Sequence, residues 1–276
     1  MKKLVLLTLF SVLFLFACSQ QKVVSEGEAL LIQKFGENSQ QSYNYEIVIQ
    51  NTTVFQGNTQ STNLNVNFQI TNTILEDNND TLIVTTSFDK IEGSIKTSQG
   101  MQQIPDIEKL SGEKMQVTIY PDGKVVLSEK YDDEENQIIG LMKSSLMDLY
   151  GFLPERMVKI GENWTNDLNL EEASSKTIYT LTGIMQSKEW GEVNIIESKS
   201  EITQESNMTR NGTDIHSEAS GTGRSTIYCT AEKGLVTMFK SHAALEGTAE
   251  ITGNPMIGDM TIPNYTNIDT KIERIK

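Results

Sequence analysis

The chain has 276 residues, a formal net charge of −14 at pH 7, 37% hydrophobic residues and two cysteines. A field of this sign repels phosphate backbones and anionic headgroups, so the charge argues against nucleic-acid binding. The length is sufficient for a sizeable core in one large or two small domains.

The N-terminal residues "MKKLVLLTLFSVLFLFACSQ" have the pattern of an export signal: two lysines, an uncharged run over 4–16, then Ala17 and Cys18. The run is shorter than the roughly 20 residues that a membrane-spanning helix needs. "LFAC" at 15–18 resembles the bacterial lipobox, although Phe16 departs from the small or β-branched residue usual there. The resemblance implies that residues 1–17 are a lipoprotein signal peptide. It also implies that Cys18 carries fatty-acyl chains such as palmitate, which anchor the protein in a membrane. The alternative is an ordinary signal peptide with a chance cysteine.

Residues 18–29 are polar and without a motif, which predicts a lipidated tether. Loss of Lys2 and Lys3 with the signal takes the formal charge to −16. We expect a body held at a membrane of the bacterial cell envelope through its N-terminal lipid, in the periplasm or at the cell surface. Ser19 next to the anchor favours the outer membrane, if the organism has one.

A two-residue period dominates from Leu30 onward. In "SYNYEIVIQ" and "NLNVNFQITN" apolar and polar residues alternate, which predicts strands with one buried and one wet face. Strands of this kind pair in antiparallel fashion, because parallel sheets bury both faces. Turn signals such as "PDGK" at 121–124 separate them.

One segment has a helical period instead. "DDEENQIIGLMKSSLMDLYGFLP" predicts an amphipathic helix near 133–150, with acidic residues at its start and Gly151 and Pro154 at its end. Its apolar stripe is our candidate lining of a ligand cavity, with simple core filling as the alternative. The stripe consists of Ile138, Leu141, Met142, Leu146 and Leu149.

Two similar stretches, "TIYPDGKVV" at 118–126 and "TIYCTAEKGLV" at 226–236, suggest a duplicated β-rich unit. The predicted division is a first unit over 30–157, which contains the helix, and a second over 158–276. The alternative is convergence of two unrelated hairpins.

The lipobox, the long alternating strands with one helix, and the junction "P-x-x-x-V-K-I-G-E-N-W" at Pro154–Trp164 resemble a group of uncharacterised bacterial lipoproteins. Their fold is similar to that of the lipoprotein carriers of the Lol pathway. The resemblance implies a mainly β (α+β) fold, in which long antiparallel curved sheets form half-barrels around one amphipathic helix. Such a fold holds an acyl chain or a hydrophobic segment of a partner. No binding residue is matched one to one.

The sequence offers no catalytic constellation. His216 and His242 are the only histidines, and neither lies in a zinc-binding or general-base motif. "EDNND" at 76–80 lacks the glycine and distal glutamate of a calcium loop. We therefore predict no enzymatic activity, no metal and no cofactor.

The favoured hypothesis is a non-catalytic, lipid-anchored envelope protein that binds a lipid, an acyl chain or a partner protein. One alternative is a structural or assembly lipoprotein without a cavity. The other is an envelope hydrolase that uses scattered acids with His216 or His242.

Overall fold

The structure is a computed structural model that describes residues 23–24, 26–36, 38–77, 81–105, 107–120, 125–127, 149–169, 173–210, 212–253 and 258–276. Over these residues the chain is almost entirely β-structure, as the alternating pattern predicts. The strands are β1 (Val23–Val24), β2 (Glu28–Leu31), β3 (Gln40–Phe55), β4 (Asn58–Asp77), β5 (Leu82–Thr97), β6 (Gly100–Gln103), β7 (Lys114–Ile119), β8 (Val125–Leu127), β9 (Arg156–Lys159), β10 (Asn163–Asn169), β11 (Ala173–Ser187), β12 (Gly191–Arg210), β13 (Thr213–Thr230), β14 (Val236–Thr252) and β15 (Met260–Ile275).

Thirteen of these strands form one antiparallel sheet, and eleven of them follow the order β8-β7-β5-β4-β3-β15-β14-β13-β12-β11-β1. Two further members, β10 and β6, pair with β11 and β5, while β2 and β9 form a separate two-stranded sheet. The sheet is open within the described residues, because its end strands β8 and β1 do not pair with each other. The predicted mainly β, antiparallel class is therefore confirmed.

The two predicted units contribute to one continuous sheet. The C-terminal strand β15 pairs with β3 along its length, and Ile272 is the Cα partner of Tyr45. In both "TIY" stretches the strand that ends near Thr-Ile-Tyr pairs in antiparallel fashion with the next one, β7 with β8 and β13 with β14. That the units arose as tandem copies stays a prediction.

Cα partners on neighbouring strands share a face of the sheet, which gives rows of side chains across it. We call the face that carries Tyr45 and Ile272 the core face, and the opposite one the outer face. One core-face row crosses eight strands and is apolar and buried throughout; we call it the apolar row. Its members are Leu181, Ile196, Ile227, Phe239, Ile272, Tyr45, Phe68 and Ile91.

The segment over 149–153 belongs to the same hydrophobic cluster as the apolar row. Gln33 fixes it, since its Nε2 donates to the Leu149 carbonyl at 2.7 Å while its Oε1 accepts from the Gly151 amide at 2.8 Å. Gly151 has a φ of 75°, a left-handed conformation that glycine adopts without strain. The chain then continues through β9 into β10.

The predicted helix near 133–150 lies outside the described residues except for its last two. Leu149 and Tyr150 form a turn and a bend, so a helix that continues to residue 150 is wrong. Tertiary bonds from Gln33 and the left-handed Gly151 set this local conformation. Among the described residues the one helical element is a 3-10 turn at Ile107–Leu110. No helix in that part of the chain is long and apolar enough to cross a bilayer.

Candidate functional site on the core face

Beside the apolar row, the core face of β11–β15 changes character. The next row consists of hydroxyl-bearing residues, and we call it the hydroxyl row: Tyr179, Ser198, Ser225, Ser241 and Thr270. The row after it is made mostly of small residues, and we call it the small-residue row: Thr177, Ser200, Gly223, Ala243 and Ile268. Successive rows on one face lie about 6.8 Å apart, because side chains alternate at about 3.4 Å per residue. Short side chains over this area leave space above the sheet.

That space is a pocket of about 260 Å³. The hydroxyl and small-residue rows form its floor, and Ile119, Tyr150, Phe152 and Leu168 contribute walls. The volume is close to the lower end of the range usual for small-molecule sites, roughly 300–1,000 Å³. The pocket is therefore large enough for part of a ligand, such as a chain or a ring.

Four of the serines and threonines of the floor form hydrogen-bonded pairs. Ser198 Oγ lies 2.7 Å from Ser225 Oγ, and Thr177 Oγ1 lies 2.9 Å from Ser200 Oγ. Paired hydroxyls make a neutral surface with few groups left to solvate a charge. No Asp, Glu, Lys or Cys is among the described residues that line the pocket. Arg224 and His242 border it, but the alternation along β13 and β14 places them in outer-face positions.

Tyr150 forms one wall and is held by a buried polar chain. Asn72 Nδ2 donates to the Tyr150 hydroxyl at 2.8 Å, and Thr86 Oγ1 donates to Asn72 Oδ1 at 2.8 Å. The ring of Phe35 meets Tyr150 edge-on at a centroid distance of 5.5 Å. Burial raises the pKa of the Tyr150 phenol well above its ordinary value, with Tyr43 adding to the effect. The phenol stays protonated at neutral pH, so Tyr150 positions the wall and does not act as a base.

Trp164 of β10 fixes the neighbouring wall. Its Nε1 donates to the Phe152 carbonyl at 2.8 Å, and its ring stacks on Tyr179 at 5.6 Å with 15° between the planes. The indole is 8% exposed and its N–H is satisfied, as buried tryptophans require. The rings of Phe152 and Tyr179 also contact each other, at a centroid distance of 6.1 Å, so Trp164 holds both in place.

The structure places only one of the predicted cavity residues. Leu149 is 2% exposed and lies in the hydrophobic cluster next to the pocket wall Tyr150. The rest of the predicted stripe, Ile138, Leu141, Met142 and Leu146, lies outside the described residues, as does Cys18.

The two histidines do not share a site. His242 of β14 is the Cα partner of Arg224 of β13. Arg224 and His216 lie eight residues apart on β13. That spacing corresponds to about 26 Å at roughly 3.3 Å per residue. His216 bonds to Asn207 at 2.7 Å and Glu218 at 3.0 Å, and His242 bonds to Asp269 at 2.9 Å. Both are surface contacts.

The acidic residues in the described part of the chain do not assemble a metal site either. No group of three or more His, Cys, Asp or Glu side chains among the described residues is arranged to hold a metal ion. Cys229 is fully buried, and burial raises the pKa of its thiol to about 12. A buried thiol in its neutral form is a packing group.

Sequence reasoning missed the floor of the pocket. Its signal is the run of small and hydroxyl residues at alternate positions in "SGTGRST" and "KSHAALEG". Such residues are ordinary on a wet face, so the local pattern gives no sign that they face the core. That they face the core is clear only from their pairing with Thr177, Ser200 and Thr270 on other strands.

A model of a family of unknown function (DUF6263) matches residues 127–236. The match spans β11–β13 and so includes much of the pocket floor. No curated protein matches the chain.

Three solved structures align with most of the chain at low scores. The COG4313 outer membrane channel from Pseudomonas putida F1 aligns with 88% of this chain and 97% of its own, at 7% identity and a TM-score of 0.27. Pseudomonas aeruginosa OccK11 (OpdR) aligns over 89% and 99%, at 7% identity and a TM-score of 0.19. OccK2 (OpdF) of the same organism, in complex with glucuronate, aligns over 92% and 100%, at 5% identity and a TM-score of 0.19. Scores this low carry no inference about the present chain.

Proposed function

We propose that this protein is a lipid-anchored, non-catalytic binding protein of the bacterial cell envelope. The observation that carries the proposal is the neutral pocket on the core face, with Ser198, Ser225 and Ala243 in its floor and Tyr150 and Phe152 in its walls. Its ligand is an apolar or weakly polar molecule, and a lipid or acyl chain fits the lining best.

The chemistry of the lining supports an apolar ligand. Four of the floor hydroxyls bond to one another, Ser198 to Ser225 and Thr177 to Ser200, so they offer little to replace the hydration shell of a bound charge. An acyl chain has no charge and so no such hydration shell to lose, and it gains roughly 0.8 kcal/mol for each methylene removed from water. The apolar row and Phe152 provide contact surfaces at the sides.

The predicted amphipathic stripe remains part of the proposal. We propose that Ile138, Leu141, Met142, Leu146 and Leu149 face the same ligand, since residues 149–153 lead directly into the pocket wall. This arrangement is the one that the resemblance to the Lol-pathway carriers implies. The resemblance itself rests on the sequence pattern.

The anchor is proposed at Cys18, from the lipobox. Replacement by alanine removes the acylated sulfur and releases the protein from the membrane fraction. Identical fractionation of Cys18→Ala and the unaltered protein would show that the chain is not anchored there.

The pocket is tested by a pair of adjacent substitutions. Ala243 lies on the core face in the pocket floor, while Ala244 is exposed on the outer face of the same strand. Ala243→Phe fills the pocket and is expected to abolish binding of a fluorescent fatty-acid probe. Ala244→Phe adds the same ring on the other face and is expected to bind the probe normally. Equal binding by both variants would remove the pocket from the proposal.

The alternative, a structural or assembly lipoprotein, predicts a different outcome. A protein that works through its surface keeps its cellular function in the Ala243→Phe variant, provided that the variant folds. Function lost in Ala243→Phe and retained in Ala244→Phe would exclude this alternative.

A further inference from the structure

Cations gather on one part of the outer face, in a chain with a strong excess of acids. Lys199, Arg224 and Lys240 lie on the adjacent strands β12, β13 and β14. Lys199 is the direct Cα partner of Arg224, and Lys240 is that of Lys271. These residues, except Lys271, line a groove of about 680 Å³, whose one carboxylate among the described lining residues is Glu197. We call it the cationic groove.

The three cations of the groove make no ion pair within the described part of the chain. Nearby groups do have acidic partners: Lys271 forms an ion pair with Glu273 at 3.0 Å, and His242 hydrogen-bonds to Asp269 at 2.9 Å. Like charges on directly opposite residues are destabilising in a sheet. The juxtaposition of Lys199 and Arg224 therefore costs stability, and together with Lys240 they are suited to binding an anion.

Charge is sorted along the outer face of these strands. Apart from Glu197, the acidic residues on this face of the three strands lie beyond the groove, toward the strand ends that are farther from β1. They are Glu201, Glu205, Asp214, Glu218, Glu246 and Glu250. Two surfaces of opposite sign thus lie on one face, and the cationic one is nearer to β1.

Apolar side chains lie between the groove and β1. Ile195, Tyr228 and Met238 are Cα partners in one outer-face row. Val23 packs over Gly183, which is a partner of Ile195 in the same row, because a Cβ built on Gly183 would lie 2.8 Å from Val23 Cγ1. Val23 is itself 51% exposed, and Ile178 in the groove is 44% exposed. Exposed apolar groups beside unpaired cations are typical of a surface that rests on a membrane interface.

The position of β1 fixes the distance to the proposed anchor. Val23 is five residues after Cys18, which allows at most about 18 Å between them at roughly 3.6 Å per residue. Val23 and Val24 pair with Met185 and Ile184, next to the groove residues of β11. An anchored chain therefore keeps this end of the outer face within reach of the lipid headgroups.

We propose that the cationic groove docks onto anionic phospholipid headgroups of the membrane that holds the anchor. Lys199, Arg224 and Lys240 contact headgroup phosphates, and Val23 and Ile178 meet the interfacial region. The docking inference depends on the proposed function only for the position of the anchor, and it is independent of the pocket. The acidic part of the outer face is held away from the membrane.

Vesicle co-sedimentation tests the docking without the covalent anchor. The probe is a set of vesicles with about one third phosphatidylglycerol in phosphatidylcholine, compared with pure phosphatidylcholine. The protein is the lipid-free chain of residues 19–276, which contains every described strand. The unaltered chain is expected to bind the anionic vesicles at low salt and to dissociate at high salt, since exposed charges are screened.

A triple variant with Lys199, Arg224 and Lys240 changed to Gln is expected to bind roughly a hundredfold more weakly, at about fivefold per cation. The control variant has Lys90, Lys96 and Lys114 changed to Gln, which makes the same change in net charge on β5 and β7. It is expected to bind as the unaltered chain does.

Three results would overturn the docking proposal: no binding to anionic vesicles, equal losses in the two triple variants, or binding to inorganic phosphate and not to vesicles. None of them concerns the anchor or the pocket. Failure of the Cys18→Ala and Ala243→Phe experiments is therefore distinguishable from failure of the docking experiment.

Discussion

Asn72 Nδ2 donates a hydrogen bond of 2.8 Å to the Tyr150 hydroxyl, and both residues are buried. The bond joins β4 to the turn that precedes β9 and forms a wall of the pocket. Because Thr86 also donates to Asn72, the amide is fully oriented by its partners. The wall is thus part of the core and is rigid for that reason.

Tyr150→Phe is expected to lower the free energy of unfolding by about 1–3 kcal/mol. The substitution leaves the buried Asn72 amide without its acceptor, and an unsatisfied buried donor costs about that much. Tyr265→Phe, at a tyrosine that is 44% exposed, is the control and is expected to change stability by less than about 0.5 kcal/mol. Urea unfolding measures both, and equal values would show that the bond does not contribute.

Ile272→Ala is expected to destabilise the whole sheet by about 2–5 kcal/mol, because it opens a cavity at a fully buried position. Ile272 lies between Phe239 and Tyr45, where the two halves of the chain meet. Ile178→Ala, at a position that is 44% exposed, is the matched control.

Urea unfolding, which measures these stability changes, also tests the continuity of the sheet. Tryptophan fluorescence reports the second half alone, because it contains both tryptophans, Trp164 and Trp190. Far-UV circular dichroism reports all strands. A continuous sheet is expected to give coincident transitions by the two probes. Two separated transitions would mean that the halves are independent domains.

His216 is expected to titrate above its ordinary pKa. Its hydrogen bond to Glu218 raises the pKa of the imidazole, and the charges of Glu218, Glu205 and Glu250 act in the same direction. Protonation therefore favours the folded state. This contribution is complete below the unfolded-state pKa and is lost as the pH rises through the folded-state pKa.

Glu218→Gln is expected to lower the pKa of His216, and NMR of the imidazole Cε1 proton measures it. His242→Gln in the background leaves a single imidazole to follow. Glu92→Gln on the distant β5 is the control and is expected to leave the titration unchanged. An unaltered pKa in the Glu218 variant would show that the contact at 3.0 Å does not persist in solution.

The alternation of residues was enough to predict the strands and their buried face. Tyr43, Tyr45 and Ile47 are each at most 2% exposed, as "SYNYEIVIQ" predicts. The side-chain period of a strand is two, so local sequence settles which residues share a face.

The pairing of β15 with β3 could not be predicted from the sequence. Their partners Ile272 and Tyr45 come from opposite ends of the chain, and no local pattern specifies which distant strand a given strand will meet. The pocket floor was missed for the same reason. Ser198, Ser225 and Ser241 form one surface only because three strands bring them into one row.

The central claim is that the core-face pocket holds an apolar ligand. The most direct measurement is mass spectrometry of an organic extract of the chain of residues 19–276, purified from a bacterial host and compared with a mock purification. The account predicts a lipid in stoichiometric amount, present with Ala244→Phe and absent with Ala243→Phe. A folded protein that yields no lipid, or the same lipid from both variants, would contradict it.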